Sequence, residues 1–125
     1  MRIGIDCRVL QQKHYSGIPG YAYNIIDNIT KLDQNNTYVL FFNFFKNIKK
    51  DLPTFEGRSN VEYRIYRVPN NFFEFWWRFI SFPKIDRLLK VEIFFSPHIH
   101  SIPLSKKVKR VLTVHDLSFI KGKKY

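Results

Sequence analysis

Apolar positions along the chain fall into short runs separated by polar punctuation. Arg2 to Asp6 alternates into a short apolar strand, and Gly4 inside it allows close backbone approach. Cys7 to Pro19 reads as a loop, with Ser16-Gly17 and Pro19-Gly20 as turn signals. From Tyr21 the period becomes helical. Tyr21, Ile25, Ile29 and Leu32 share an apolar face, and Asn24, Asp27, Asn28 and Lys31 form the polar one. Asp33 to Asn36 is a polar break. Tyr38 to Phe45 is a second, aromatic strand of the continuous kind that is buried on both faces.

Lys46 to Asn60 is a polar connection, and Val61 to Val68 alternates as a third strand that Pro69-Asn70-Asn71 stops. Phe72 to Phe82 returns to helical period. Its stripe of Phe72, Phe75, Trp76, Phe79 and Ile80 is expected to pack on a sheet; the competing reading is a helix lying at a membrane interface. Pro83 breaks this helix, and a short piece built on Ile85, Leu88 and Leu89 follows. Val91 to Phe95 is a fourth strand ended by Ser96-Pro97. After the exposed basic stretch Lys106 to Arg110, Val111 to Val114 is a fifth. Apolar strands alternating with helices predict an α/β fold, a Rossmann-like, mostly parallel sheet with helices on both faces and the first strand central. In such a sheet ligands bind at the carboxyl ends of strands. That singles out the loops after Asp6, after Phe95 and after Val114.

Composition narrows the class. The 125 residues fit one domain, and 45% hydrophobic content excludes a disordered chain. Lys and Arg outnumber Asp and Glu by 21 to 10, a formal charge of +11. Such a balance suits an anionic partner, an anionic membrane surface or a phosphorylated substrate, or else reflects an A/T-rich coding bias toward Lys, Asn, Ile and Phe. The cations are spread along the chain without a run of five or six, so nucleic acid is not expected as a partner. The single cysteine, Cys7, permits no internal disulfide and fits a reducing cytoplasm. No apolar stretch reaches the length of a transmembrane helix, and the first residues do not form a signal peptide.

Four features can carry chemistry. Ser16-Gly17-Ile18 lies between the first strand and the first helix, where backbone amides can hold a phosphate. It matches neither GxGxxG nor a Walker loop, and on spacing alone it reads as a plain turn. His115, followed by Asp116, stands just past a strand end. There an imidazole orients a substrate hydroxyl, or is simply hydrogen-bonded in place, and Asp116 supports it or caps a helix. His98 and His100 are two residues apart, but no third metal ligand is evident, and no metal or other cofactor is expected. Cys7 lacks a CxxC partner and reads as a small buried residue.

The ordered set of segments resembles the start of a family 4 glycosyltransferase of the GT-B fold, in the bacterial, mannosyltransferase-like branch that builds cell-surface polysaccharide. Ile3-Gly4-Ile5-Asp6-Cys7-Arg8 with Ser16-Gly17-Ile18 resembles the opening strand and glycine loop. Phe94-Phe95-Ser96-Pro97-His98 resembles the strand and loop after the long helix, and Val111 to Phe119 the strand end written T-x-H-D-L. The resemblance implies transfer of a sugar from a nucleotide-sugar donor to a glycan or lipid-linked acceptor. The site would be cytoplasmic, at the inner face of the plasma membrane. Ser16, Gly17, Ile18 and His98 would meet the donor diphosphate or the acceptor, and His115 and Asp116 the reacting centre. Residues 1–125 would be an incomplete acceptor-side domain lacking the donor-binding half with its Glu-x7-Glu pair, and inactive alone. Where the family has Gly-Ile-Gly-Arg-Tyr, this chain has Gly17-Ile18-Pro19-Gly20-Tyr21, so Gly20 replaces an arginine. The alternative is a non-enzymatic basic α/β module that binds anionic lipid or nucleic acid. The other common sugar-transferase fold needs an Asp-x-Asp motif, which none of the six aspartates forms.

Overall fold

A computed structural model of the chain describes residues 1–11, 16–43, 52–55, 57–82, 84–98 and 102–115. Five strands form one all-parallel sheet: β1 (Arg2–Asp6), β2 (Thr37–Asn43), β3 (Val61–Tyr66), β4 (Ile93–Ser96) and β5 (Lys109–Leu112). Their order is β3-β2-β1-β4-β5, with β1 central as its position in the pattern predicts. Helices α1 (Ile18–Leu32), α2 (Asn70–Phe79) and α3 (Ile85–Leu89) and a 3-10 turn at Arg8–Leu10 complete the described elements. The fold is α/β and Rossmann-like.

The period of two along each strand divides the interior into two cores. Ile5, Tyr38, Leu40 and Phe42 project to one side and pack with Ala22 and Ile26 of α1, Leu10 and Phe55. Val39, Phe41 and Phe94 project to the other side and pack with Trp77 of α2 and with Ile85 and Leu89 of α3. Helices therefore cover both faces. Each fully buried Phe, Leu or Ile contributes about 1.5–3 kcal/mol, so the aromatic run of β2, buried from Tyr38 to Phe42, is the heaviest single support. Gly4 faces the second core, where an added Cβ would lie 2.8 Å from Phe94 Cδ2 and 3.0 Å from Val91 Cγ2. The close approach that glycine allows is thus made by the Phe94 ring.

Several boundaries and faces differ from the pattern-based expectation. Helix α1 begins at Ile18, not Tyr21. Pro19 sits in its first turn, where the missing N–H would have had no partner in any case. Its buried positions are Ala22, Ile26 and Thr30, while Ile29 and Leu32 are exposed. Thr30 can be buried because its hydroxyl donates to Ile26 O at 2.7 Å and accepts from Arg58 Nη1 at 2.7 Å. Small Ala22 lets the helix approach the sheet. For α2 the packing expectation is overturned. Phe72, Phe75, Phe79 and Ile80 face outward, and Trp77, outside the expected stripe, is the side chain that enters the core. Strands β4 and β5 are offset by one or two residues from their expected spans. Pairing starts with Glu92 N donating to Arg2 O and fades after Ser96, because Pro97 has no N–H to continue the ladder. The expected strand residues Phe44 and Phe45 lie outside the described residues.

The end of the sheet opposite the carboxyl edge is clamped by Arg2. Its guanidinium makes a two-pronged pair with Glu62 at 2.9 and 3.0 Å and donates to the carbonyls of Leu89 and Lys90 at the end of α3. This pairing holds the Glu62 carboxyl below its ordinary range. The loop before β3 is tied to α1 by Arg58, which reaches the Asp27 carboxylate at 2.6 Å.

Candidate functional site

The winding of the chain changes direction at one place in the sheet. From β1 the chain passes through α1 on one face to β2. From β3 it returns through α2 and α3 on the other face to β4, which lies on the opposite side of β1. Between β1 and β4 the direction of winding therefore reverses. In open parallel sheets this is where ligands are received.

Ser16, Gly17 and Ile18 lie on the first of these loops. Gly17 is the N-cap of α1 with φ 61° and ψ −127°, a conformation that an L side chain rarely adopts. Its carbonyl accepts the first helical bond, from Tyr21 N at 3.0 Å. The amides of Ile18 and Gly20 remain as the donors of the first turn, Pro19 having none. Ser16 and Gly17 are exposed.

Pro97 and His98 follow β4, and His115 lies three residues past β5. These are brought together. His115 Nε2 donates to the Pro97 carbonyl at 2.7 Å, and the His98 and His115 ring centroids are 6.2 Å apart. A carbonyl oxygen only accepts, so Nε2 carries the proton and Nδ1 of the neutral ring carries the lone pair. Tyr21, one turn into α1, meets His115 edge-to-face at 4.9 Å, and its hydroxyl is 3.1 Å from Thr113 Oγ1. Tyr21 thus links the glycine loop to the β5 end, and Gly17, His98 and His115 share the carboxyl edge. Asp116 and His100 lie outside the described residues.

Sequence reasoning did not single out three residues at this edge. Asp6, at the carboxyl end of β1, is buried and receives Arg8 Nε and Nη2 at 2.9 and 2.7 Å and Arg8 N at 3.2 Å. The Arg8 guanidinium lies 5.2 Å from the Trp77 ring and 5.7 Å from Phe41. An acid and a base two apart at a strand end were the available signal. The pair fixes the edge, and it leaves Arg8 already matched to a carboxylate. Tyr21, the third, belongs by periodicity to the apolar face of α1 and by sequence to the loop that resembles the family's, neither of which points to His115. Cys7 is fully buried; burial and then the neighbouring Asp6 carboxylate push its thiol well above the ordinary range, which suits a structural residue. On the β2 side Asn43 exchanges two hydrogen bonds with the Val68 backbone and two with Gln11, tying the start of α2 to the same edge.

Among the described residues no group of three His, Cys, Asp or Glu is placed to hold a metal ion, and no helix is long and apolar enough to cross a membrane. Compared with known proteins, the chain matches no family model, no curated protein and no solved structure.

Proposed function

We propose that this chain forms the acceptor-side wall of a family 4, GT-B-type glycosyltransferase that moves a sugar from a nucleotide-sugar donor to a cell-surface polysaccharide or lipid-linked acceptor. One observation carries the reading: residues from the three segments that resemble this family in sequence, far apart along the chain, lie at the same carboxyl edge of the sheet. Gly17 stands at the start of α1, His98 follows β4, and His115 is held between Pro97 and Tyr21.

The chemistry proposed for each residue is supported by its position and hydrogen bonds. With Nε2–H committed to Pro97 O, Nδ1 is the ring atom of His115 left to accept the hydrogen of an acceptor hydroxyl. The Ile18 and Gly20 amides face developing negative charge on the donor diphosphate. Because Arg8 is occupied by Asp6 and Gly20 stands where the family has arginine, the cations that neutralise the leaving diphosphate come from a donor-binding half. The 125-residue chain alone is therefore expected to transfer no sugar.

The test is acceptor-dependent release of nucleotide from a panel of nucleotide sugars, using protein in which this chain is joined to its donor-binding half. Replacing His115 with Ala should lower turnover by ~10²-fold or more, the scale of a positioned acid–base group. Unchanged turnover with the fold intact would return His115 to a structural role. Robust turnover by residues 1–125 alone would overturn the half-site reading.

A further inference from the structure

His115 stands beyond the last rung of the sheet. Strand β5 ends at Leu112, and among the described residues the last backbone hydrogen bond of this segment runs from Thr113 N to Ser96 O at 3.0 Å. Val114 and His115 are exposed. The place of the imidazole therefore depends on what its own ring touches. Nε2 donates to the carbonyl of Pro97, a buried residue directly after β4. Tyr21 meets the ring at 4.9 Å, with the two planes 89° apart. The His98 ring, at 6.2 Å, is farther away.

Tyr21 is itself fixed at three points. Its amide donates to Gly17 O at 3.0 Å, closing the first turn of α1. Its neighbour Ala22 is fully buried in the core between α1 and the sheet. Its hydroxyl is 3.1 Å from Thr113 Oγ1, in the same segment that carries His115. One tyrosine side chain thus meets two residues that stand two apart, Thr113 through its hydroxyl and His115 through its ring. A hydrogen bond in an exposed place exchanges readily with water, because water offers an equivalent partner. Held by that bond alone, the imidazole would leave the Pro97 carbonyl often, and a ring that has left it has no reason to keep its proton on Nε2. An edge-to-face aromatic contact ties the ring down in a second direction.

We infer that Tyr21 is the positioning residue for His115: its ring contact with the imidazole and its hydroxyl bond to Thr113 together keep Nε2–H on Pro97 O and leave Nδ1 as the accepting atom. The consequence for turnover rests on the sugar-transfer reading, whereas the orientation of the ring does not. A tyrosine that served packing alone would behave differently. Its removal would lower stability and leave the His115 proton where it is.

The experiment is imidazole 15N NMR of the 125-residue chain at about pH 8.5, where an ordinary histidine is neutral. His115 should show a protonated Nε2 and an unprotonated Nδ1. Tyr21→Ala should move both nitrogens toward the averaged positions of a ring that exchanges between tautomers. It should also speed exchange of Nε2–H with water by about 2- to 12-fold, the factor of one edge-to-face contact at 298 K. Tyr21→Phe keeps the ring and loses the hydroxyl, so its effect should be smaller. Thr113→Val should match it, and the two together should do no more than either alone, because both remove the same hydrogen bond. Far-UV circular dichroism checks that each variant is folded; if Tyr21→Ala is not, the Tyr21→Phe and Thr113→Val comparison decides. Unchanged His115 resonances in folded Tyr21→Ala, or additive effects of Tyr21→Phe and Thr113→Val, would overturn the inference. In protein joined to its donor-binding half, Tyr21→Ala should lower kcat with little change in KM, and Tyr21→Phe should recover most of the loss. Unchanged kcat in Tyr21→Ala, where His115→Ala is impaired, would also overturn it. If His115→Ala leaves turnover unchanged while Tyr21→Ala still alters the His115 resonances, the acid–base reading falls and the positioning of the ring stands.

Discussion

Substituting alanine for Gly4 sets two opposing effects against each other at the centre of the sheet. Gly4 pairs with Val39 on one side and Phe94 on the other. Removing a glycine from the unfolded chain normally stabilises a protein by ~0.4–1 kcal/mol, provided the native conformation suits alanine. Gly4 is not in the left-handed region, so backbone strain does not oppose the change. The packing does. The new methyl would lie 2.8 Å from Phe94 Cδ2 and 3.0 Å from Val91 Cγ2, against an optimal carbon separation of roughly 3.5–4.0 Å. Phe94 is fully buried and Val91 nearly so, so neither side chain can swing into solvent. Overpacking of this kind costs about 1–3 kcal/mol, which outweighs the entropic gain. A net loss of about 1–2 kcal/mol is expected, with Tm lowered by roughly 4–10 °C for a chain of this size. Urea unfolding followed by far-UV circular dichroism should show a lower midpoint at unchanged slope. Trimming the ring should restore room, so Gly4→Ala combined with Phe94→Leu is expected to be less destabilising than the sum of the two single changes by about 1 kcal/mol. A Gly4→Ala protein as stable as the parent, or an additive double mutant, would refute the close-contact argument.

Gly17 gives the complementary case. An added Cβ there meets nothing within 4 Å, so Gly17→Ala should cost about 1–3 kcal/mol in a thermal melt through backbone strain alone. Cys7 should react with iodoacetamide at least about 10²-fold more slowly in the native protein than in urea, since its thiol is buried and held protonated. Acid should unfold the chain late. Bonds from Tyr38, Asn36 and the Asn35 amide hold the Asp33 carboxyl down to about 2 from its ordinary 3.8, and Arg58 and then Lys31 hold Asp27 low. A depressed folded pKa contributes stability that is complete above the unfolded value and lost as pH falls through the folded one. Urea midpoints should thus stay level down to about pH 4 and drop toward pH 2, with a shallower drop in Asp33→Asn.

The sheet was legible because its strands are continuous apolar runs, a signal that burial on both faces imposes. Helix faces were harder to read. In α2, large apolar residues occur almost all round, with Phe72, Phe75, Trp76, Trp77 and Phe79 in one turn-and-a-half after another, so periodicity cannot say which side meets the sheet. In α1 the buried face includes Thr30, a residue that hydropathy counts as polar and that Arg58 and Ile26 O make buriable. At the candidate site the rule that ligands meet strand carboxyl ends located Gly17, His98 and His115. It could not reveal the link between Tyr21 and Thr113, 92 residues apart, or the carbonyl that fixes the His115 tautomer. Such contacts are made by the fold and leave no local trace in the chain. Asp6 and Arg8 were missed for a different reason, since a buried pair at a strand end has the same composition as an exposed turn.

The central claim of the proposed function is that the carboxyl edge at β1 and β4 holds a saccharide acceptor against His115. Amide and imidazole NMR of the chain, titrated with a soluble prenyl-diphosphate saccharide to concentrations on the order of 1 mM, tests it most directly. The account predicts saturable shifts at Gly17, Ile18, the His98 ring and Thr113 to His115, with the His115 Nδ1 resonance most affected, and little change at Arg2 and Glu62 on the far edge. Shifts centred on that far edge, or none at the carboxyl edge across the titration, would contradict it.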